Sequence, residues 1–196
     1  MKLDRRKLLV ALAALTFGAS LLACNRKAAA NQDPGQWKVK LVSEQESGEP
    51  LIVSGTIYSP DGKKPLPAIT LYVYQTDVTG RYSTSGGDNR GTRIHGLMKT
   101  NAEGRYEFRT IKPGSYPNSR NPAHIHAYVS GPDYPEYWID EYLFADDPFI
   151  KDEDKQKAGS QGSFSHILSL TRGSDGILRA VRDLKIERCT RNCTGR

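Results

Sequence analysis

The chain is organised as short alternating segments set between turn formers. Leu51 to Tyr58 alternates apolar and polar positions and stops at Ser59-Pro60-Asp61-Gly62. Ala68 to Gln75 alternates with β-branched and aromatic residues, and Gly104 to Thr110 follows an Asn101-Ala102-Glu103-Gly104 turn. Ala123 to Val129, Tyr137 to Phe144, Phe164 to Leu170 and Ile177 to Ile186 complete the set. A period of two places successive side chains on opposite faces of a strand. Helical periodicity is almost absent. The pattern therefore predicts an all-β fold, an antiparallel β-sandwich, over residues 37–188.

Two segments do not alternate. Thr79 to Thr100 and Ile111 to Pro122 are long and rich in Gly, Pro and Asn. Long loops held by a rigid sandwich are where binding and catalytic groups collect. Lys151 to Lys157 is a run of charges and reads as solvated chain.

The N-terminus follows another logic. Lys2, Arg5, Arg6 and Lys7 outweigh Asp4 and precede an apolar stretch of sixteen residues, Leu8 to Ala23. A membrane span needs about 20. Residues 1–23 therefore read as an export signal rather than an uncleaved anchor helix. Leu21-Leu22-Ala23-Cys24 looks like a lipoprotein cleavage site, with Cys24 lipidated and residues 24–36 as a tether. Arg5-Arg6 resembles a twin-arginine signal, against the alternative of an ordinary secretory signal. The expected location is exported, on the periplasmic or outer cell-envelope side of a membrane, held by the lipid. Cys189 and Cys193, in the tail 189–196, suit a local disulfide better than a metal site, since no other Cys or His is near them in sequence.

Half of the net charge of +6 belongs to that leader. What remains is too mild for a nucleic-acid footprint, and no basic stripe with interleaved aromatics is present. Association into homo-oligomers stays open.

The chemistry starts at His124-Ile125-His126. On a strand both imidazoles face one side, while Ile125, Ala127 and Val129 face the core. Such a pair is half of a metal site, or two hydrogen-bonded surface histidines. No Cys lies nearby, nor a carboxylate at ligand spacing, so tyrosines are the oxygen donors on offer. A phenolate is a hard donor suited to a hard cation, which would keep the phenol ionised far below its free pKa of about 10.

The run from Thr100 to Pro117, followed by Pro122-Ala123-His124-Ile125-His126, resembles the intradiol ring-cleavage dioxygenases of the protocatechuate 3,4-dioxygenase-like kind. Val73 to Tyr82 is similar to the segment that ends in that family's first tyrosine ligand, and Tyr142 to Pro148 to its last core strand. The resemblance spans roughly Val53 to Ile150. It implies a β-sandwich holding one Fe(III). Tyr82 and His124 match the equatorial ligands, Tyr116 and His126 the axial ones. It further implies a small aromatic diol and O2 as reactants. The diol would bind as a dianion in place of the axial Tyr116, and ring opening would give a cis,cis-muconate-type diacid. Tyr116 would thereby act catalytically.

One departure stands out. The family usually has Arg immediately before Pro-Ala-His-Ile-His, where this chain has Asn121 and, one place earlier, Arg120. Either the loop brings Arg120 to the iron as a catalytic group or that assistance is missing. Glu141 falls near a position where the family often has glutamine. His95 reads as a loop histidine, His166 as a sheet-surface one, and Tyr106, Trp37 and Trp138 as packing residues. The rival function is a lipid-anchored sandwich that binds without turnover.

The leader reading makes a direct prediction. Cys24→Ser should stop lipid-dependent maturation and move the protein from the membrane to the soluble fraction. Unchanged fractionation would exclude Cys24 as the anchor, because stable anchoring needs more than one acyl chain at that point.

Overall fold

The computed structural model describes residues 35–84 and 89–187. Among the described residues, eleven strands, one helix and one short 3-10 turn make up the fold. The strands are β1 Lys38–Lys40, β2 Pro50–Tyr58, β3 Thr70–Gln75, β4 His95–Lys99, β5 Arg105–Ile111 and β6 His124–Gly131. They continue with β7 Tyr134–Phe144, β8 Ile167–Leu168, β9 Thr171–Arg172, β10 Leu178–Val181 and β11 Leu184–Lys185. The helix α1 is Asp152–Gly159, and the 3-10 turn is Gly162–Phe164.

One sheet runs β1-β5-β2-β10-β9, with β11 also pairing to β2; the other runs β4-β3-β6-β7-β8. The alternation explains how they meet. Leu51 and Val53 of β2 and Tyr106 and Phe108 of β5 are fully buried from one side. Leu71 and Val73 of β3, Ile125 and Ala127 of β6, and Tyr142 and Phe144 of β7 are fully buried from the other. Phe108 meets Tyr142 edge-to-face across the gap, with ring centroids 5.8 Å apart. Each buried aromatic of this size removes large apolar area from water, which is what holds the layers together.

The sandwich is as expected, but its sheets are mixed rather than antiparallel. The long central pairs β2–β5, β3–β4, β3–β6 and β6–β7 are antiparallel. The flanking pairs β1–β5, β2–β10, β2–β11 and β7–β8 are parallel. The parallel partners are all short and reach their neighbours through long connections, the only kind that permits parallel pairing.

Three further differences concern local structure. The expected loop Thr79–Thr100 contains β4, whose register on β3 pairs His95 with Tyr74. The charge run forms α1, with Asp152, Glu153 and Asp154 in its first turn and Lys157 in its last. That order complements the helix dipole. Ala158 is its single buried residue and packs with Ile150 and Ile167. The start of the expected strand at Phe164 closes the 3-10 turn instead.

Tyr106 is core, as its alternation with Phe108 implied. Its hydroxyl donates to the Arg182 carbonyl at 2.7 Å and lies 3.1 Å from the Tyr142 hydroxyl. Burial pushes both phenols above their ordinary range, so each stays neutral. Tyr106→Phe leaves that carbonyl without its donor. The expected loss is about 1–3 kcal/mol, read as a lower urea midpoint with an unchanged slope. An unchanged midpoint would show that the hydroxyl contributes nothing to stability.

Candidate metal centre

β6 sets the two histidines. His124 and His126 project from the face opposite Ile125 and Ala127, and their Nε2 atoms lie 3.1 Å apart. His124 Nδ1 lies 2.7 Å from the Pro122 carbonyl, which can only accept. Nδ1 therefore carries the proton, and the Nε2 lone pair faces outward. Burial pushes the His124 imidazolium down, further favouring this neutral form. Behind His126 stands Glu141, with Oε1 3.6 Å from Nδ1. That is too long for a hydrogen bond, but it favours a proton on Nδ1 and leaves Nε2 bare. The nearby His126 ring holds the Glu141 carboxyl down at about 2. Tyr74 stacks on His126 at 4.7 Å, and Trp138 meets it edge-on at 4.7 Å.

The tyrosines arrive on loops that leave neighbouring strand ends. Buried Gln75, the last residue of β3, donates to the Ile111 carbonyl at 3.0 Å and accepts from Thr110 Oγ1 at 2.9 Å. The ends of β3 and β5 are thereby tied together. The Tyr82 loop turns at Asp77, whose Oδ1 accepts from Thr79 N at 2.8 Å and Arg81 N at 3.1 Å. The Tyr116 loop then lies directly on it, with Gly114 N donating to the Asp77 carbonyl at 2.9 Å. Two glycines allow this approach. A Cβ at Gly80 would stand 1.8 Å from the Ser115 carbonyl oxygen, and one at Gly114 would stand 2.4 Å from that of Val78. Gly80 also has φ +75, a left-handed conformation that favours glycine.

The result is one point of convergence. Tyr82 Oη and Tyr116 Oη are 2.8 Å apart. Tyr116 Oη is 3.0 Å from His124 Nε2 and 3.3 Å from His126 Nε2. Metal–nitrogen bonds of about 2.0–2.1 Å put two ligands at right angles about 3 Å apart, which matches these separations.

The protons do not balance without a cation. The two phenols can satisfy the Tyr82–Tyr116 contact and one imidazole. The other imidazole lone pair then has no donor. Burial first, and the Tyr116 hydrogen bond next, push Tyr82 far above the ordinary phenol range. Burial also raises Tyr116. A hard cation would replace both phenolic protons and satisfy all four donors. Among the described residues no group of three or more His, Cys, Asp or Glu could hold a metal ion; here half of the donors are phenols.

Arg120 is not brought to this point. It is exposed, and its guanidinium lies 5.8 Å over the Phe149 ring. The preceding turn explains this, since Asn118 adopts φ 58 and Asn121 N donates to Ser119 Oγ at 3.0 Å. Asn121 is exposed as well. His95 is not in a loop but in β4, half-buried, with Nδ1 2.5 Å from the Thr92 carbonyl. Cys24, Cys189 and Cys193 lie outside the described residues.

Two contributors escaped the sequence reading. Buried Asp147 accepts from Ala123 N at 2.9 Å, fixing the chain just before His124. Tyr74 is not singled out by the sequence, yet its register on β6 sets it opposite His126. Alternation along β3 carried that signal for Tyr74, whereas nothing local marked Asp147.

A family model described as "Dioxygenase" matches residues 25–174. Catechol 1,2-dioxygenase 1 of Acinetobacter lwoffii is 28% identical over 144 residues, covering 64% of this chain and 45% of the relative. The protocatechuate 3,4-dioxygenase beta chain of Burkholderia cepacia is 32% identical over 114 residues, covering 53% and 48%. The chain thus spans about half the length of these curated relatives. Among solved structures, the dioxygenase domain of a dioxygenase carbohydrate-binding protein fusion from Streptomyces sp. SirexAA-E superposes with TM-score 0.58 at 25% identity, covering 79% of this chain and 91% of that one. Catechol 1,2-dioxygenase from Acinetobacter sp. ADP1 superposes at 0.59 with 21% identity, over 79% and 58%, a likeness of fold.

The loop contact predicts a separation of effects. Gly80→Ala should push the two tyrosine loops apart and cut metal uptake. It should also cost about 1–2 kcal/mol from the left-handed backbone alone. Arg120→Ala should leave metal uptake unchanged and cost no more than about 1 kcal/mol, the worth of an exposed cation–π contact. Metal content and urea midpoints of both variants check this. Normal uptake in Gly80→Ala would show that the close approach does not set the donor geometry.

Proposed function

Because the chain belongs to the intradiol ring-cleavage dioxygenase family, we propose that it is a non-haem ferric enzyme that opens a catechol-type ring between its two hydroxylated carbons. Both atoms of O2 enter the product, a cis,cis-muconate-type diacid. Tyr82, Tyr116, His124 and His126 are the residues that hold the iron. The observation that supports this most is their convergence, with each recorded donor separation between 2.8 and 3.3 Å. When bound, Fe(III) supplies Lewis acidity and a template for the diol.

The chain's own residues divide the remaining work. His124 is held by Pro122, and His126 by Tyr74, Trp138 and Glu141; both imidazoles keep their orientation throughout. Tyr116 differs, since it sits on an irregular loop and touches Tyr82, His124 and His126. Its phenolate is the group placed to take a proton from the diol. Glu141 faces the His126 ring, so its charge supports that imidazole from behind. The exported, Cys24-anchored location belongs to the same proposal, and it supports activity at the cell envelope on small aromatic diols. Among the described residues no helix is long and apolar enough to cross a membrane.

Iron-loaded protein should be burgundy-red from tyrosinate-to-iron charge transfer, and catechol should shift the band. Oxygen uptake with catechol, protocatechuate and hydroxyquinol then tests turnover. Tyr116→Phe should keep most of its iron yet slow the catechol-induced shift by about 10²-fold or more, the usual worth of a positioned base. His124→Ala should lose iron itself. Equal iron loss in both variants would refute the division of roles. A red protein that consumes no oxygen with any of the three diols would leave a binding module in place of the enzyme.

A further inference from the structure

Arg182 is a charged residue with only 4% of its surface exposed. It joins none of the ion pairs among the described residues. Its guanidinium lies 4.3 Å from the Tyr142 ring, and Nη1 donates to the Asp140 carbonyl at 2.8 Å. Nε is buried with no hydrogen-bond partner. A buried lysine could shed its proton to escape this position, but a guanidinium cannot. Buried charges are ordinarily paired, because leaving one unpaired costs several kcal/mol. The ring contact offsets only part of that cost.

The backbone holds this cation in place. Arg182 N donates to the Ser54 carbonyl at 2.9 Å, and the Arg182 carbonyl accepts from Tyr106 at 2.7 Å. Gly55 makes room, since a Cβ there would stand 1.7 Å from that carbonyl oxygen. The side chain lines a cavity of about 850 Å³ bounded by α1, the 3-10 turn and the β7–β8 edge. Lys157, His166 and Lys185 also line it, against the exposed carboxylates Asp140 and Asp154. Leu143 and Phe164 supply apolar wall, and Lys185 Nζ sits 4.4 Å over the Phe164 ring near the opening.

We propose that this cavity is an anion site for a small organic carboxylate, held by the Arg182 guanidinium. A carboxylate presents two coplanar acceptors that match the guanidinium fork better than a tetrahedral anion does. The apolar wall accommodates a short carbon body, and the volume is that of an ordinary small-molecule site. The site stands apart from the four-donor centre and does not depend on the metal reading.

Calorimetric titration of the full chain with sodium succinate, at constant ionic strength, tests this. Sodium sulfate and sodium chloride serve as the comparison salts. Saturable succinate binding is expected, and it should persist in His124→Ala, which lacks the metal centre. Arg182→Met should raise the half-saturating concentration at least about tenfold, the worth of one charge-assisted hydrogen bond. Lys185→Ala, an exposed position, should raise it about threefold through weakened attraction at the mouth. If Arg182→Met does not fold, Lys185→Ala decides. The proposal falls if succinate binding does not saturate, if Lys185→Ala binds as the parent does, or if binding vanishes in His124→Ala. Tighter binding of sulfate than of succinate would overturn the carboxylate assignment.

Discussion

Four lone-pair donors held at contact distance are the constraint on which this molecule turns. Imidazole and phenol groups in water would not gather this way, because facing lone pairs repel and each group loses its hydration. Gathering them costs about 1–3 kcal/mol for every buried acceptor left without a donor. The surrounding packing must supply that energy in advance. Here it comes from a sandwich core whose buried aromatic and aliphatic side chains stand on both layers. A cation would then find the geometry already made, which is how a fixed site gains affinity without ordering itself on binding.

The scaffold treats the two kinds of donor differently. The imidazoles sit on β6, where backbone hydrogen bonds to β3 and β7 leave little freedom. The phenols sit on loops whose positions depend on backbone packing through Gly80 and Gly114 and on the Asp77 turn. A strand gives a permanent ligand. A loop can give one that moves, and the proposed ring cleavage would need room for a diol's oxygens beside the other ligands. The division between strand-borne imidazoles and loop-borne phenols is therefore a consequence of secondary structure, before any chemistry is considered.

The same division governs what could be read from the sequence. Strand alternation is local, so the core faces of β2, β3, β5, β6 and β7 were legible, as was the shared direction of His124 and His126. The tyrosines were reached only through resemblance, since loop conformation depends on contacts distant in sequence. Arg120 shows the limit of that route. Its neighbour Asn118 takes a left-handed conformation, which sends the chain past the centre and leaves the guanidinium against Phe149. The helix α1 was missed because its charges surround one buried residue, Ala158, so no apolar stripe exists to read. The parallel edge pairings were invisible for a related reason: two-residue strands such as β8 and β11 have no pattern of their own.

The metal centre and the Arg182 cavity are opposite cases of one imbalance. The first gathers acceptors that a cation would satisfy; the second buries a cation that joins no ion pair among the described residues. Volume alone would not separate such places from ordinary surface relief. A second cavity of about 530 Å³ beside α1 also has an arginine in its wall, Arg179. That arginine is exposed and already held by Asp175 through contacts of 2.8 and 2.6 Å. Solvent screens such a pair, and it makes no demand for a further partner. Arg182 makes that demand because it is almost wholly buried and joins no ion pair among the described residues. Where the described residues keep a charge or a set of lone pairs unbalanced and unsolvated, the sign of the imbalance states what the missing partner must be.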